Sequence, residues 1–183
     1  LKSNGTAWRI KGAENSTAGE DQKTVLGNGM PKIFAALNTT VRWKALDLSV
    51  SFHGAFLYQI LNQYRMKYET LAWLSSVNVP KSAFEKVGDY YNYAPSTYCD
   101  RYIENGDYWK LDNVTLGYSF NLPKVKFIDS MRVYLSGQNL LTISGYRGLD
   151  PEAVSITGLT PGVDSYSKYP TLRSFTFGLN LKF

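Results

Sequence analysis

Few side chains in this 183-residue sequence could carry out chemistry, and they are far apart. His53 is the only histidine and Cys99 is the only cysteine, which excludes a disulfide within the chain and a metal site built from several such ligands. No serine or carboxylate forms a recognisable nucleophile motif with His53. We therefore predict that the protein is not an enzyme and holds no metal or cofactor. We expect His53 to hydrogen-bond within a wall of the structure.

The densest group of residues suited to binding is aromatic. It contains Tyr90, Tyr91, Tyr93, Tyr98 and Tyr102, followed by Tyr108 and Trp109. Tyrosine and tryptophan are favoured at protein interfaces and can stack on sugars, but they also form belts at membrane surfaces. For Tyr108 and Trp109, which adjoin a predicted strand, the sequence favours a belt. For the five tyrosines before them, contacts with a partner or substrate and a belt remain equally open.

The charge pattern limits the classes of partner. Twenty basic and fifteen acidic residues give a formal net charge of +5, and the basic residues are scattered along the chain. Nucleic-acid-binding surfaces usually cluster them, so we predict no nucleic-acid partner. No apolar run approaches the ~18 residues of a transmembrane helix. Transmembrane β-strands dilute their apolar residues by alternation, so they are not excluded by this observation.

Five long alternating segments must position these residues. Their ranges are 33–43, 46–56, 109–122, 131–143 and 171–183. Large apolar and small polar residues alternate with period 2, which is a β-strand signal. Soluble strands average ~5–6 residues, whereas a tilted transmembrane strand needs ~9–11. Asn139 interrupts one apolar face and predicts a bulge or the membrane rim.

The connections between these segments differ in length. Lys44-Ala45 and NLPKVKFIDS are short, while 57–106 and 144–170 are long. Short turns at one end and long loops at the other are typical of outer-membrane barrels; a soluble β-sandwich is the alternative. Because closure needs about eight strands, five must belong to a larger barrel. Within the first long loop, the spacing of apolar residues over 60–74 predicts a short helix.

Several stretches carry a family resemblance. They are LGNGMPKIFAALNTTVRWKALDLSVSFHG, YIENGDYWKLDNVTLGYSF, VYLSGQNLLTISGYRGLDPE and YPTLRSFTFGLNLKF. In order and spacing, they resemble the C-terminal part of SusC/RagA-type TonB-dependent outer-membrane transporters of Bacteroidota. An Asp-rich, calcium-like turn that is frequent in this family is absent, since the corresponding GAENSTAGEDQK lacks the ligand spacing.

The resemblance implies an all-β fold, namely an antiparallel transmembrane β-barrel segment that supplies the last five or so of about twenty-two strands. Residues 1–32 would be an extracellular loop or turn region, and 33–183 would hold the C-terminal strands with long extracellular loops at about 57–106 and 144–170. The implied partners are the rest of the barrel and its plug domain, a SusD-like lid lipoprotein, the TonB complex, the barrel assembly machinery and outer-membrane lipid.

The resemblance also implies a function, the import of glycan or peptide fragments across the outer membrane. Phe183 would be an assembly signal and membrane anchor at a periplasmic C-terminus. The interface girdle would comprise Trp43, Tyr108, Trp109 and Phe183, and the candidate lid or substrate contacts are Tyr90, Tyr91, Tyr93, Tyr98 and Tyr102. Two alternatives are a non-transporting adhesin or assembly component on the same barrel, and a soluble carbohydrate-binding β-domain.

Overall fold

The structure is a computed structural model that describes residues 2–3, 8–9, 25–87, 90–93, 98–123, 127–165 and 168–183. Its first seven strands are β1 (Lys2–Ser3), β2 (Trp8–Arg9), β3 (Ile33–Trp43), β4 (Leu46–Phe56), β5 (Gln59–Asn62), β6 (Lys86–Val87) and β7 (Tyr90–Tyr91). The remaining strands are β8 (Ile103–Asn105), β9 (Tyr108–Asn121), β10 (Ser130–Ser144), β11 (Val163–Asp164) and β12 (Ser174–Lys182). Helix α1 spans Gln63–Tyr68, and single 3-10 turns span Leu71–Trp73, Lys81–Phe84 and Asp100–Tyr102.

The five long strands form one antiparallel sheet in the order β12-β10-β9-β4-β3. They contain 9 to 15 residues each, enough to cross a bilayer at the usual tilt. Among the described residues, no helix is long and apolar enough to span a membrane. The prediction of five long antiparallel strands is confirmed by this sheet.

One face of the sheet is apolar, and its side chains line up in rows across all five strands. The register places Val41, Leu48, Leu116, Leu135 and Phe177 side by side in one such row. A second row contains Trp43, Leu46, Tyr118, Val133 and Leu179. Phe177 is 72% exposed and Leu135 is 53% exposed. Contiguous exposed apolar surface of this kind marks contact with lipid or with another protein.

The opposite face, which we call the polar face, has rows of small hydroxyl residues between the apolar rows. One row contains Thr40, Ser49, Thr115, Ser136 and Thr176. Thr115 Oγ1 and Ser136 Oγ lie 2.8 Å apart, and Thr40 Oγ1 and Ser49 Oγ lie 3.3 Å apart. These hydrogen bonds link the strands through side chains in addition to their backbone ladders.

Nearer the short turns, the polar face carries an ion pair above Gly117, where a Cβ would lie 2.5 Å from an Arg132 guanidinium nitrogen. Arg132 donates to Asp47 Oδ1 at 3.0 Å and to Oδ2 at 2.5 Å. The Arg132 guanidinium carbon lies 5.1 Å from the centre of the Tyr134 ring. A Cβ at Gly178 would lie only 2.1 Å from Tyr134 Cζ. Glycine is therefore required at this position for the tyrosine ring to lie flat across the neighbouring strand.

A turn and a bulge of the sheet each contain a residue in the left-handed conformation. Lys44 adopts a left-handed conformation with φ 55° in the two-residue turn between β3 and β4, so the predicted Lys44-Ala45 turn is present. Asn139 has φ 54°, and the pairing of β10 with β9 shifts between Gln138 and Leu141. The Asn139 amide donates to the Leu172 carbonyl at 2.9 Å. The bulge predicted at Asn139 is therefore present, and its side chain bonds to the segment leading into β12.

The long loops fold into structure of their own at one end of the sheet. The helix predicted over 60–74 is shorter than expected, because Ile60 and Leu61 pair with β8 and the Asn62 side chain caps α1 by accepting from the Arg65 amide at 3.0 Å. One buried cluster joins these loops to the sheet: Ala55, Tyr58, Ile60, Tyr108, Tyr146 and Val154. A second cluster lies within the first loop: Met66, Cys99 and Tyr102, with Leu61 packed against them.

The two faces predict different responses to an introduced charge. In the full-length protein, Leu116→Arg should destabilise the folded barrel by ~2–4 kcal/mol, the cost of a cation on the lipid face near the midplane. Thr115→Arg, one residue away on the polar face, is the matched control and should cost less because water reaches that face. Denaturant titration in lipid vesicles would measure both variants. Equal destabilisation would contradict the assignment of the faces.

Candidate functional site

A buried lysine organises the polar face where the sheet meets the long loops. Lys110 on β9 has no exposed surface. Its Nζ donates to Glu152 Oε2, and to Thr171 Oγ1 at 2.7 Å. A buried ammonium is costly unless a carboxylate and hydrogen-bond acceptors surround it. Lys110 therefore ties the loop that contains Glu152 to the wall of the sheet.

Glu152 also contacts the neighbouring strand. Its Oε1 lies 2.7 Å from His53 Nε2, and His53 is directly opposite Lys110 in the ladder between β4 and β9. The His53 ring meets the edge of the Tyr108 ring, with centroids 6.0 Å apart. The expectation that His53 would be a hydrogen-bonded residue of a wall thus agrees with its position, and Glu152 is its partner.

Asp150 fixes the turn that presents Glu152. Its Oδ1 accepts from the Glu152 amide at 3.0 Å. Its Oδ2 accepts from the Thr171 amide at 2.9 Å and from the Thr171 hydroxyl at 2.6 Å. Burial opposes ionisation of Asp150, but these hydrogen bonds and the Lys110 charge outweigh it and lower its pKa below the ordinary value. The carboxylate therefore stays charged and joins both ends of the loop.

A second ion network holds the first long loop in shape. Arg65 on α1 donates to Glu69 and to Glu104, and Arg101 donates to Glu69 at 2.7 Å. Glu69 is 1% exposed, and its two carboxylate oxygens are each paired with an arginine. Glu104 also accepts from the Arg147 amide at 2.7 Å. The network therefore connects the loop between β4 and β9 to the loop after β10.

Between these two networks the loops enclose a pocket of about 230 Å³. The side chains that matter for its chemistry belong to Tyr64, Arg147, Asp150, Asp164, Lys168 and Tyr169. Tyr146 donates its hydroxyl hydrogen to Asp164. Burial raises the pKa of Asp164 above its usual range, although this hydrogen bond and the nearby Lys168 act in the opposite direction. Among the described residues, no three His, Cys, Asp or Glu side chains are placed to hold a metal.

The residues predicted to contact the lid or substrate differ in their exposure to solvent. Tyr91, Tyr93 and Tyr98 are exposed, with Tyr98 at 69%. Tyr102 is 1% exposed and packs against Met66 and Cys99, so its prediction as a contact residue was wrong. Its hydroxyl lies 3.3 Å from the Asn92 amide nitrogen inside the loop. The backbone of Tyr90 lies in β7, and its side chain is outside the described residues.

The predicted girdle also needs one correction. Trp43 is 67% exposed and Phe183 is 80% exposed, and Trp109 lies on the apolar face. Tyr108 is on the opposite face, 9% exposed, and packs with Tyr58 beneath the loops. Adjacent strand residues point to opposite faces, so Tyr108 and Trp109 could not both face lipid.

Two groups of residues were not among the site residues predicted from the sequence. Phe52 and Phe56 flank Trp109 on the apolar face, with ring centroids 6.2 Å and 5.8 Å from it. Their alternation in the 46–56 segment was a sufficient signal for this position. The Lys110–Glu152 pair had no such signal, because simple alternation places Lys110 in the apolar register of Leu116, and a shift in the pairing of β9 with β4 brings it to the polar face. Its acidic partner is 42 residues away, and sequence spacing alone does not join them.

The Lys110–Glu152 pair, which we call the loop anchor, should respond differently to the loss of one partner and to the loss of both. In the full-length protein, Glu152→Gln should destabilise the loop assembly by roughly 3–5 kcal/mol, the usual cost of leaving a buried charge unpaired. Limited trypsin digestion, with Arg147 and Lys168 as cleavage sites in the loop, would detect the loosening as faster cutting. The double variant Lys110→Met/Glu152→Gln removes the stranded charge and should be cut more slowly than Glu152→Gln. The reverse order would show that the pair does not hold the loop.

Comparison with known proteins gives consistent results. No protein-family model matches the chain. TonB-dependent receptor P3 of Formosa agariphila is 31% identical over 193 aligned positions, which cover 93% of this chain and 18% of that receptor. TonB-dependent receptor SusC of Bacteroides thetaiotaomicron is 29% identical and is matched over 92% of this chain and 17% of its own length. The chain thus spans less than a fifth of these curated relatives.

The solved structures agree in fold. The structure of the RagAB peptide transporter matches with a TM-score of 0.67 and 26% identity, over 85% of this chain and 17% of that chain. The RagAB peptide importer in its closed-closed state matches with a TM-score of 0.68 and 24% identity, over 92% of this chain and 19% of that one. The chain is therefore a SusC/RagA-like β-barrel portion, similar to these TonB-dependent receptors.

Proposed function

We propose that the protein is part of an active transporter that imports peptide or glycan fragments across the outer membrane. The observation that carries the proposal is the combination of an apolar face, a hydroxyl-lined polar face and a loop assembly anchored on the polar face through Lys110. A wall of this kind suits a hydrophilic passage with a structured mouth. The relative named a peptide transporter supports import as the activity.

The proposed partners follow from the same architecture. The remaining strands and a plug domain would complete the barrel and fill its lumen. A SusD-like lipoprotein would cover the mouth, with Tyr91, Tyr93 and Tyr98 as contacts because they are exposed on the loop assembly. The TonB complex would supply energy through a segment outside this chain. The C-terminus would then lie on the periplasmic side, where the short turns are.

A second candidate is an adhesin on the same barrel, favoured by the exposed tyrosines of the first long loop. Transport requires energy from TonB and adhesion does not, so this requirement distinguishes the two functions. For transport, cells that carry the full-length receptor should accumulate labelled oligopeptides or oligosaccharides, and loss of TonB should abolish accumulation while leaving surface binding intact. Surface binding without accumulation in energised cells would favour the adhesin.

The proposed role of Phe183 is assembly and anchoring. Phe183 continues the apolar register of Phe175, Phe177, Leu179 and Leu181 and is 80% exposed, as expected for an aromatic ring at the bilayer interface. Barrel assembly machinery would recognise this terminal strand.

Deleting Phe183 from the full-length receptor should therefore reduce the amount of folded barrel, because the terminal strand loses its aromatic anchor. Barrels that do form should import at the wild-type rate per folded molecule. Phe183→Trp keeps an interfacial ring and is the matched control. Heat-modifiability on gels measures folded barrel, and uptake is normalised to it. Unchanged barrel abundance together with lost uptake would assign Phe183 a role in transport instead.

A further inference from the structure

The pocket between the loops contains two cationic side chains that form no salt bridge among the described residues. Arg147 and Lys168 both line it. The hydrogen bond formed by Arg147 comes from its backbone amide, to Glu104, and that of Lys168 from its backbone amide, to the Ser165 carbonyl at 3.1 Å. Within the described part of the chain, neither side chain has a hydrogen bond or salt bridge to a carboxylate.

The two carboxylates of the pocket are already engaged. Both oxygens of Asp150 accept hydrogen bonds from Glu152 or Thr171. Asp164 accepts from the Tyr146 hydroxyl, and Lys168 lies near enough to favour its charged form. Because Asp150 and Asp164 are turned toward internal donors, the free hydrogen-bonding capacity of the pocket belongs mainly to Arg147 and Lys168.

Aromatic rings border the same space. Tyr64 is 46% exposed and Tyr169 is 80% exposed, and both line the pocket. The Tyr64 ring packs against the Tyr68 ring, with centroids 5.0 Å apart. Aromatic rings give flat apolar area at a small cost in side-chain freedom. The volume of about 230 Å³ is below the ~300–1,000 Å³ of pockets for drug-sized ligands, so it suits one unit of a longer solute.

We propose that this pocket binds a carboxylate-bearing unit of the solute, with Arg147 and Lys168 pairing with the carboxylate and Tyr64 and Tyr169 packing against the rest of the unit. The proposal rests on the proposed transport function and narrows its substrate class to acidic oligomers. The carboxylate can come from an acidic peptide or from a uronic-acid oligosaccharide. Arginine is well suited to binding either source, because its guanidinium pairs with a carboxylate through two parallel hydrogen bonds.

The position of the pocket agrees with a role in uptake. Asp150 lines it and is bonded to Thr171, which in turn accepts from Lys110 on the polar face of the sheet. A bound unit would therefore lie one layer of side chains above the proposed lumen wall. The Lys110 ammonium is neutralised by Glu152, so it does not compete with Arg147 and Lys168 for the solute carboxylate.

Calorimetric titration of the full-length receptor with two matched pairs of probes tests the proposal. The pairs are triglutamate with triglutamine, and trigalacturonate with galactotriose. We expect the anionic member of at least one pair to bind more tightly than its neutral counterpart, and the pair that shows it identifies a peptide or a sugar as the source. Arg147→Gln and Lys168→Gln should each weaken anionic binding by about tenfold, the typical effect of one charge-assisted hydrogen bond.

Three controls make the result decisive. Lys168→Arg keeps the cation and should bind as the wild type does, Lys81→Gln lies outside the pocket and should have no effect, and neutral probes should be unaffected by any variant. Absence of binding by both anionic probes, or equal binding of anionic and neutral probes, would overturn the proposal. So would tight anionic binding that survives Arg147→Gln and Lys168→Gln.

Failure of the pocket and failure of the transport function can be told apart by measuring accumulation of the same probes in energised cells. Import of both neutral and anionic probes without charge preference would contradict the pocket alone. Charge-selective binding that depends on Arg147, without any accumulation, would contradict transport and leave the pocket in place.

Discussion

Strand register is the constraint on which the rest of this structure depends. Because side chains alternate between faces, a slip of one residue in any strand pairing would move every apolar side chain of that strand to the polar face. The observed register keeps Leu48, Leu116 and Leu135 in one row and Ser49, Thr115 and Ser136 in the next. The side-chain hydrogen bond between Thr115 and Ser136 is possible only in this register. The apolar face and the hydroxyl-lined wall thus arise together from one alignment.

The loops satisfy a different physical requirement. They cannot rely on lipid to cover apolar residues, and they bury charged groups in pairs and networks instead. Glu69 is almost fully buried and is paired with both Arg65 and Arg101, and Lys110 is paired with Glu152. Removing one member of such a pair is costly, whereas the intact pair contributes little net stability. Their contribution is therefore best understood as geometric: they determine where each loop lies above the sheet.

The sheet was largely predictable from the sequence, and the loops were not. The 33–43 and 46–56 segments coincide with β3 and β4, because period-2 alternation and a two-residue turn are local signals. The Asn139 bulge was also visible as a polar residue in an apolar register. In contrast, Tyr102 and Tyr108 looked like surface aromatics, since nothing local shows that Met66 and Cys99, or Tyr58, will cover them. Contacts such as that of Lys110 with Glu152 join distant residues, which alternation along one strand cannot reveal.

The loop anchor is attached to two strands that have paired neighbours on both sides. In the described part of the chain, β3 and β12 each pair on one side only, so backbone groups on their outer edges require strands from elsewhere in the barrel. Glu152 bonds instead to Lys110 on β9 and His53 on β4, which have paired neighbours on both sides. The mouth is thereby held by strands whose hydrogen bonding does not depend on barrel closure. Loop geometry and barrel closure are therefore separable: the additional strands complete the wall, and β4 and β9 position the residues that would meet the solute.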